Sequence, residues 1–378
     1  MSAYFTIPVF TIILCYFLLI LSLLFGWLRS KIYWPDGKSP VTPISILIPC
    51  RNEEENIQEL FQDINSQEYP QPLTQIIWID DHSTDGTPAL LNELIANKTN
   101  NVLIRLHDSI TGKKAALRAG MEVATGELIL LTDADSRHKK TWALILAKYF
   151  EDSGSDLILG PVVIDPAFTG FGKIQKLEYL SLVASSIGAA GIGQPFMAQG
   201  PNMAVRASDY KKMVSNLNDK FASGDDVFLL QAMKAIPGKK IRYVLNQDAI
   251  VSAKPAVSFR HFLQQRQRWA SKASGYRNLF MIFTTVLIFA TNASILAGLI
   301  VALIGKTPFT LFFILLGIKT LADLPLLAAA IKFFRCPNLL WWFFPVQLAY
   351  PIYIVVAGVL SQMRPVRWKG RSQVGKDQ

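Results

Sequence analysis

The sequence predicts an α/β domain built on a doubly wound parallel sheet, with transmembrane helices before and after it. Three features of the 378-residue chain, 51% of it hydrophobic, carry that expectation. The run from Phe5 to Leu28 holds no charge, short apolar runs alternate with amphipathic stretches from Pro43 to about Asn246, and three more apolar runs follow. One soluble domain with membrane helices is the economical partition.

In chain order, the first element is a membrane anchor at 1–30. At about 1.5 Å per residue its uncharged run spans the roughly 30 Å of a hydrocarbon core. A cleaved signal peptide is the rival, but the run is long for that purpose, has no charged segment ahead of it and no small-x-small site behind it. Arg29, Lys31 and Lys38 follow, so the positive-inside rule keeps the next segment in the cytoplasm.

That segment, 43–250, is the α/β domain. Ile44 to Pro49, Gln75 to Asp80, Val102 to Leu106 and Glu127 to Thr132 read as strands. Glu53 to Ser66, Thr87 to Asn97 and Lys113 to Ala124 read as the helices between them. Ligands of such sheets bind beyond the carboxyl ends of the strands. Asp80, Asp81, Asp133 and Asp135 all fall there, so four carboxylates from two strands converge on one crevice.

From 255 to 278 the chain turns basic, with Phe262, Leu263, Trp269 and Ala273 set among Arg and Lys. This suits an amphipathic helix lying along the membrane interface, with Arg260, Arg266 and Lys272 extending their charges to the headgroups. The region 279–363 holds apolar runs at Leu279 to Gly305, Phe309 to Ile331 and Leu339 to Leu360. Lys319 and Asp323, at i,i+4, are expected to pair on a face turned to protein. If all three runs cross, the basic tail at 364–378 ends outside, against the charge rule. Pro345, Pro351 and the Trp341-Trp342 start favour a third run that lies in the interface or re-enters, leaving the tail cytosolic.

The net charge of +10 gathers between Lys234 and Arg277 and after Met363, beside apolar segments. Membrane lipids, not nucleic acid, are therefore the expected partner. Cys15, Cys50 and Cys336 lie far apart without C-x-x-C spacing, which implies neither a disulfide framework nor a zinc site. His82, His107, His138 and His261 show no metal spacing and read as ordinary residues.

Several motifs carry chemistry. Asp80-Asp81-His82-Ser83-Thr84-Asp85-Gly86-Thr87 stands where a strand passes into a helix, and a turn capped by Ser83 or Asp85 explains it as well as a ligand does. Gly112-Lys113-Lys114 opens a helix, where a lysine and free amides can meet a phosphate, although Lys114 reads better as solvated. Asp133-Ala134-Asp135 ends an apolar strand. Hard oxygen ligands on alternate residues suit Mg²⁺ or Mn²⁺ bridging two phosphates, and a helix cap is the alternative for a bare D-x-D. Asp225-Asp226 follows Gly224 and opens a helical pattern, where carboxylates serve as a base or simply meet the helix dipole. Gly200 to Arg206 has small residues that admit a ligand or make a plain turn. Gln265, Arg268 and Trp269, at i, i+3 and i+4, share one helix face, so a cation can hold a diphosphate while an aromatic plate stacks a sugar.

Together SILIPCRNEEENI, IIWIDDHSTDGT, GKKAAL, LILLTDADS, GDDVFLL and QRQRW, in that order, resemble the motifs of membrane-bound family 2 glycosyltransferases with a GT-A (Rossmann-like) fold. That group includes cellulose, hyaluronan and poly-N-acetylglucosamine synthases and ceramide-type glucosyltransferases. The resemblance runs from about Ile44 to Trp269, and Trp368-Lys369-Gly370-Arg371 is similar to the tail of some members. It implies that Asp81 contacts the uracil of a UDP-sugar, that Glu53 and Asp133 lie near the ribose and that Lys113 belongs to the nucleotide site. It further implies that Asp135, with Asp133, takes Mg²⁺ or Mn²⁺, that Asp226 is the catalytic base, and that Gln265, Arg268 and Trp269 meet the diphosphate and acceptor. Arg118 stands where many members carry Asn, and Asp225 where Glu is usual.

The implied reaction is an inverting transfer from a UDP-sugar to a lipid-linked or growing glycan acceptor, at the cytoplasmic face of a multi-pass inner or plasma membrane protein. A processive polysaccharide synthase is the rival within the class, though three C-terminal runs are few for a channel. A sugar nucleotidyltransferase would want an early G-x-G-x-R loop, which Cys50-Arg51-Asn52 does not offer. A non-catalytic membrane scaffold has no need of intact acidic and aromatic motifs.

Overall fold

The computed structural model describes residues 3–214, 224–363, 367–368 and 371–372. The chain forms two units, one of Lys31–Asp165 and Met197–Lys254, the other of Met1–Ser30, Pro166–Phe196 and Pro255–Val374. The uncharged run is α1 (Ala3–Arg29). In the sheet unit, β1 (Ile44–Cys50) pairs in parallel with β2 (Thr74–Asp80), Ile44 opposite Thr74 and Cys50 opposite Asp80. Between them α2 (Glu54–Asn65) buries Ile57, Leu60, Phe61 and Ile64, the i, i+3, i+4, i+7 stripe of a helix packed on a sheet. The pattern repeats through α3 (Thr87–Ile95), β3 (Asn101–Arg105), α4 (Lys113–Val123) and β4 (Leu128–Leu131). All four β4 residues are buried, as a strand covered on both faces requires.

Beyond β4 the chain makes β5 (Ser136–Arg137), α5 (Trp142–Ser153), β6 (Leu157–Leu159), β7 (Val162–Ile164) and α6 (Gly170–Gly191). It continues through β8 (Met203–Arg206), α7 (Ala207–Val214), α8 (Asp225–Lys234), β9 (Ile241–Tyr243) and β10 (Val251–Ala253). The main sheet runs β3-β2-β1-β4-β8-β6-β9, and β5-β10-β7 form a smaller one. The expected all-parallel sheet is corrected here, because β8 is antiparallel to both β4 and β6. Met203 opposes Leu131, so β8 enters at the edge where β4 ends and runs back along it. That entry puts the turn before β8 at the carboxyl edge, where the acidic motifs lie.

The helical unit adds α9 (Phe259–Ser271), α10 (Leu279–Leu303), α11 (Phe309–Phe333) and α12 (Leu340–Met363) to α1 and α6. The strands β11 (Arg367–Trp368) and β12 (Arg371–Ser372) pair antiparallel, and the rest of the expected tail lies outside the described residues. Among the described residues, four segments are long and apolar enough to cross a membrane: Ile7–Arg29, Leu279–Leu303, Phe309–Phe333 and Pro337–Ser361. The third C-terminal run is one continuous helix with Pro345 and Pro351 inside it, a loss of backbone hydrogen bonds that packed neighbouring helices make tolerable. The expected Lys319–Asp323 pair is present at 2.6 Å, and the Tyr16 hydroxyl (2.6 Å to Asp323) and the Gln347 amide (2.7 Å from Lys319) join it across α1, α11 and α12.

Helices α1 and α6 meet backbone to backbone. A Cβ on Gly26 would stand 1.9 Å from the Gly188 carbonyl oxygen, and one on Gly188 would stand 2.2 Å from that of Leu23. Gly188→Ala is therefore expected to push the helices apart and cost about 3 kcal/mol. Thermal unfolding of the detergent-purified protein checks this, and an unchanged melting temperature would contradict the close contact.

Candidate functional site

The site grows from the tips of β1, β2 and β4. Asn52 and His82, one residue past Arg51 and Asp81, have left-handed backbone (φ 51° and 57°), which turns the two tips sharply. The tips are laced together. The Asn52 N–H donates to Ser83 Oγ (2.9 Å), the Thr84 N–H to Asn52 Oδ1 (2.8 Å), the Gly86 N–H to Glu54 Oε2 (2.9 Å) and the Glu53 N–H to Thr87 Oγ1 (2.8 Å). Glu53 itself accepts from the Asn56 amide at 2.6 Å. Asp85 accepts from the Thr87 N–H (3.1 Å), the capping role expected of Ser83 or Asp85. Buried Asp80 accepts from the Ser83 N–H (3.3 Å), so it holds the turn.

Asp81 is 3% exposed and still surrounded by donors. Its Oδ2 accepts from the Gly112 N–H at 3.0 Å, His82 Nδ1 lies 3.0 Å from Oδ1, and the Arg51 guanidinium is 3.8 Å from Oδ1. The next residue, Lys113, places its ammonium 2.6 Å from Asp133 Oδ1 and 3.1 Å from Asp225 Oδ2. Burial alone would favour the neutral amine, but Asp133, Asp225 and Asp226 outweigh it and hold Lys113 charged far above the ordinary lysine range. A Cβ on Gly200 would lie 3.4 Å from Lys113 Nζ and 3.6 Å from Asp226 Oδ2, so the turn before β8 closes on the same point. Gly112 and Lys113 thus tie the end of β2, the end of β4 and the start of α8 into one cluster. Asp135 stands exposed two residues past Asp133, with buried Ala134 between them.

The Asp133 turn is braced from below. Buried His138 shares a 2.8 Å hydrogen bond with Thr132, the residue before Asp133, and packs edge-on to Trp142 at 4.4 Å. The Trp142 indole donates to Asn202 (2.9 Å), whose amide donates to the Pro161 and Ala249 carbonyls (2.8 and 2.7 Å). Burial pushes the His138 imidazole down to about 3. Between that value and the ordinary 6.5, the unfolded chain binds the proton and the fold does not, so stability is full above pH 6.5 and falls as the pH drops towards 3. At pH 5 the loss is about 2 kcal/mol. His138→Gln is expected to lose this dependence, seen as a smaller drop in melting temperature between pH 7.5 and pH 5.

Gln265, Arg268 and Trp269 lie on α9 in the helical unit, each half-buried. Their neighbour Arg266 does not extend to headgroups as expected. It is 4% exposed and forms a forked ion pair with Glu178 of α6, its Nε 3.0 Å from Oε1. Lys272 is likewise buried, whereas Arg260 is exposed as expected. Lys114, expected in solvent, is buried with its ammonium 5.4 Å from the Phe228 ring centroid. For Arg266 and Lys114 the partner is remote in sequence. His82 and His138 lack metal spacing and still belong to the site's frame, His82 against its chain neighbour Asp81 and His138 against Thr132, and the place of His82 directly after Asp80-Asp81 is the signal for it.

Among the described residues no group of three or more His, Cys, Asp or Glu side chains is arranged to hold a metal ion by itself. Asp133 and Asp135 instead fit a hard cation that takes one or two carboxylates and fills its other positions from phosphate and water. The metal and the nucleotide would then bind together.

Residues 45–213 match the family model described as Glycosyl transferase family 2. Glycosyltransferase AglE of Haloferax volcanii is 29% identical over 119 residues, 32% of this chain and 39% of that protein. A beta-monoglucosyldiacylglycerol synthase of a Nostoc species is 32% identical over 124 residues, 32% of this chain and 26% of that protein. The matched stretches therefore span well under half the length of these relatives. Among solved structures, the mannosyltransferase PcManGT of Pyrobaculum calidifontis, in complex with GDP-Man and Mn²⁺, aligns with a TM-score of 0.54 at 19% identity, covering 95% of this chain and 97% of that one. That likeness is one of fold, and it agrees with the GT-A-like mixed sheet and the apolar helices at both ends.

Proposed function

We propose that the protein transfers a sugar, with inversion, from a UDP-sugar to a lipid-linked or growing glycan acceptor at the cytoplasmic face of a membrane. The observation that carries this reading is the single cluster made by Asp81, Gly112, Lys113, Asp133, Asp225 and Asp226, drawn from four strand and helix ends. In this reading Asp81 receives the uracil and Glu53 and Asp133 the ribose, while Lys113 neutralises the diphosphate. Asp226 takes the proton from the acceptor hydroxyl, the oxygen bonds to the anomeric carbon, and the bond to UDP breaks on the opposite side. Gln265, Arg268 and Trp269 keep the role that the resemblance implies, contact with diphosphate and acceptor. Asp135, with Asp133, would hold Mg²⁺ or Mn²⁺, which supplies charge to the departing diphosphate when bound.

The likeness to a diacylglycerol glycosyltransferase and the four apolar helices favour a lipid acceptor over a polymer. Arg29, the last residue of α1, and Lys31 just past it favour a cytoplasmic sheet unit. The test is to incubate membranes holding the protein with radiolabelled UDP-sugars and follow the label. Label in the organic extract supports a glycolipid product, ethanol-insoluble label indicates a polysaccharide, and no protein-dependent transfer from any UDP-sugar contradicts the proposal.

A further inference from the structure

Arg266 sits inside the Gln265–Trp269 segment without being one of its three matching residues, yet it touches two of them. Its Nε donates to both oxygens of Glu178 (3.0 and 3.1 Å), one terminal nitrogen completes the fork on Glu178, and the other donates to Gln265 Oε1. Its guanidinium carbon lies 4.1 Å from the Trp269 ring centroid and 4.5 Å from that of Phe262. Tyr179, next to Glu178 on α6, flanks Trp269 at 5.9 Å, and the Tyr353 hydroxyl of α12 donates to Glu178 Oε1 at 3.1 Å. The two charged side chains are 3% and 5% exposed.

A buried ion pair gives little net stability over apolar residues of the same volume, because both charges lose their water. What it gives is geometry. Guanidinium has donors and no acceptor, so the Gln265 amide can face Arg266 only through its oxygen and must turn its N–H₂ the other way, as a donor for an anionic or hydroxyl oxygen. The same planar group holds the Trp269 ring by its face.

We propose that Glu178 and Arg266 are positioning residues for sugar transfer: the pair fixes Gln265 as a donor and Trp269 as a plate. This rests on the reading of Gln265, Arg268 and Trp269 as contacts to the diphosphate and acceptor. The test uses the full-length protein in detergent with the UDP-sugar that it turns over best. The double variant Glu178→Met, Arg266→Met removes both charges at near-constant volume and is compared with wild type, Gln265→Ala and Trp269→Ala. The expected result is a melting temperature close to wild type, a donor KM within about twofold and a kcat lowered more than tenfold, towards that of the two single alanine variants. Wild-type kcat in the double variant would overturn the proposal, as would a kcat loss matched by an equal rise in donor KM and a lowered melting temperature. Glu178→Gln keeps one acceptor oxygen, enough for the Tyr353 hydroxyl and the Arg266 Nε–H that now share Oε1, and is expected to retain more turnover than the double variant; equal loss in both would also count against positioning. Failure of the underlying reading shows separately, as wild-type turnover in Gln265→Ala and Trp269→Ala.

Discussion

Asp226→Asn is expected to lower sugar transfer by about 10³-fold while leaving UDP affinity within a factor of two, since general-base catalysis of a hydroxyl contributes roughly 10²–10⁴. The carboxamide keeps the size of the side chain and its acceptor oxygen for the Val227 N–H, now bonded at 2.7 Å, so the start of α8 is preserved. What it loses is the ability to take a proton. Asp225→Asn is expected to do less to turnover and more to the Lys113 contact, because Asp225 holds a 3.1 Å ion pair with Lys113. Initial rates with titration calorimetry of UDP separate the two. Turnover unchanged in Asp226→Asn would remove the base assignment.

Asp135→Asn is expected to lower turnover at least about 100-fold, because a divalent cation held there would supply several kcal/mol of charge stabilisation as UDP leaves. Asp135 stands exposed at the strand tip, where an added cation can reach it. Chelation of divalent cations should therefore silence the wild-type protein and do nothing further to Asp135→Asn. UDP affinity should fall on chelation, since metal and nucleotide complete each other's coordination. Full activity after exhaustive chelation would show that Lys113 and the other cations suffice.

How much of this was legible in the sequence depended on whether the partner of each residue was local. The parallel half of the sheet could be read because β1 to β4 repeat a short buried run and an amphipathic helix, and their bounds fell within a residue or two of the expectation. The repeat stops at β4, so nothing in it foretold that β8 returns antiparallel and carries Gly200 to Lys113. The acidic pairs were legible because ligands gather at the carboxyl edge of such sheets. That Lys113 belongs with them was implied by the resemblance, whereas its ion pairs with Asp133 and Asp225 were not legible, since the motif gives its position and not its reach. Arg266 was misread for the same reason in reverse, because its charge is satisfied by Glu178 across another helix, which the basic pattern of α9 conceals.

If the ends of β2 and β4 and the start of α8 form one nucleotide-sugar site, a structure determined with UDP and Mn²⁺ will show it. Uracil is expected at Asp81, the diphosphate between Lys113 and the cation, and the cation on Asp135. Density for UDP elsewhere on the protein, with Asp81 and Asp135 both untouched, would contradict it.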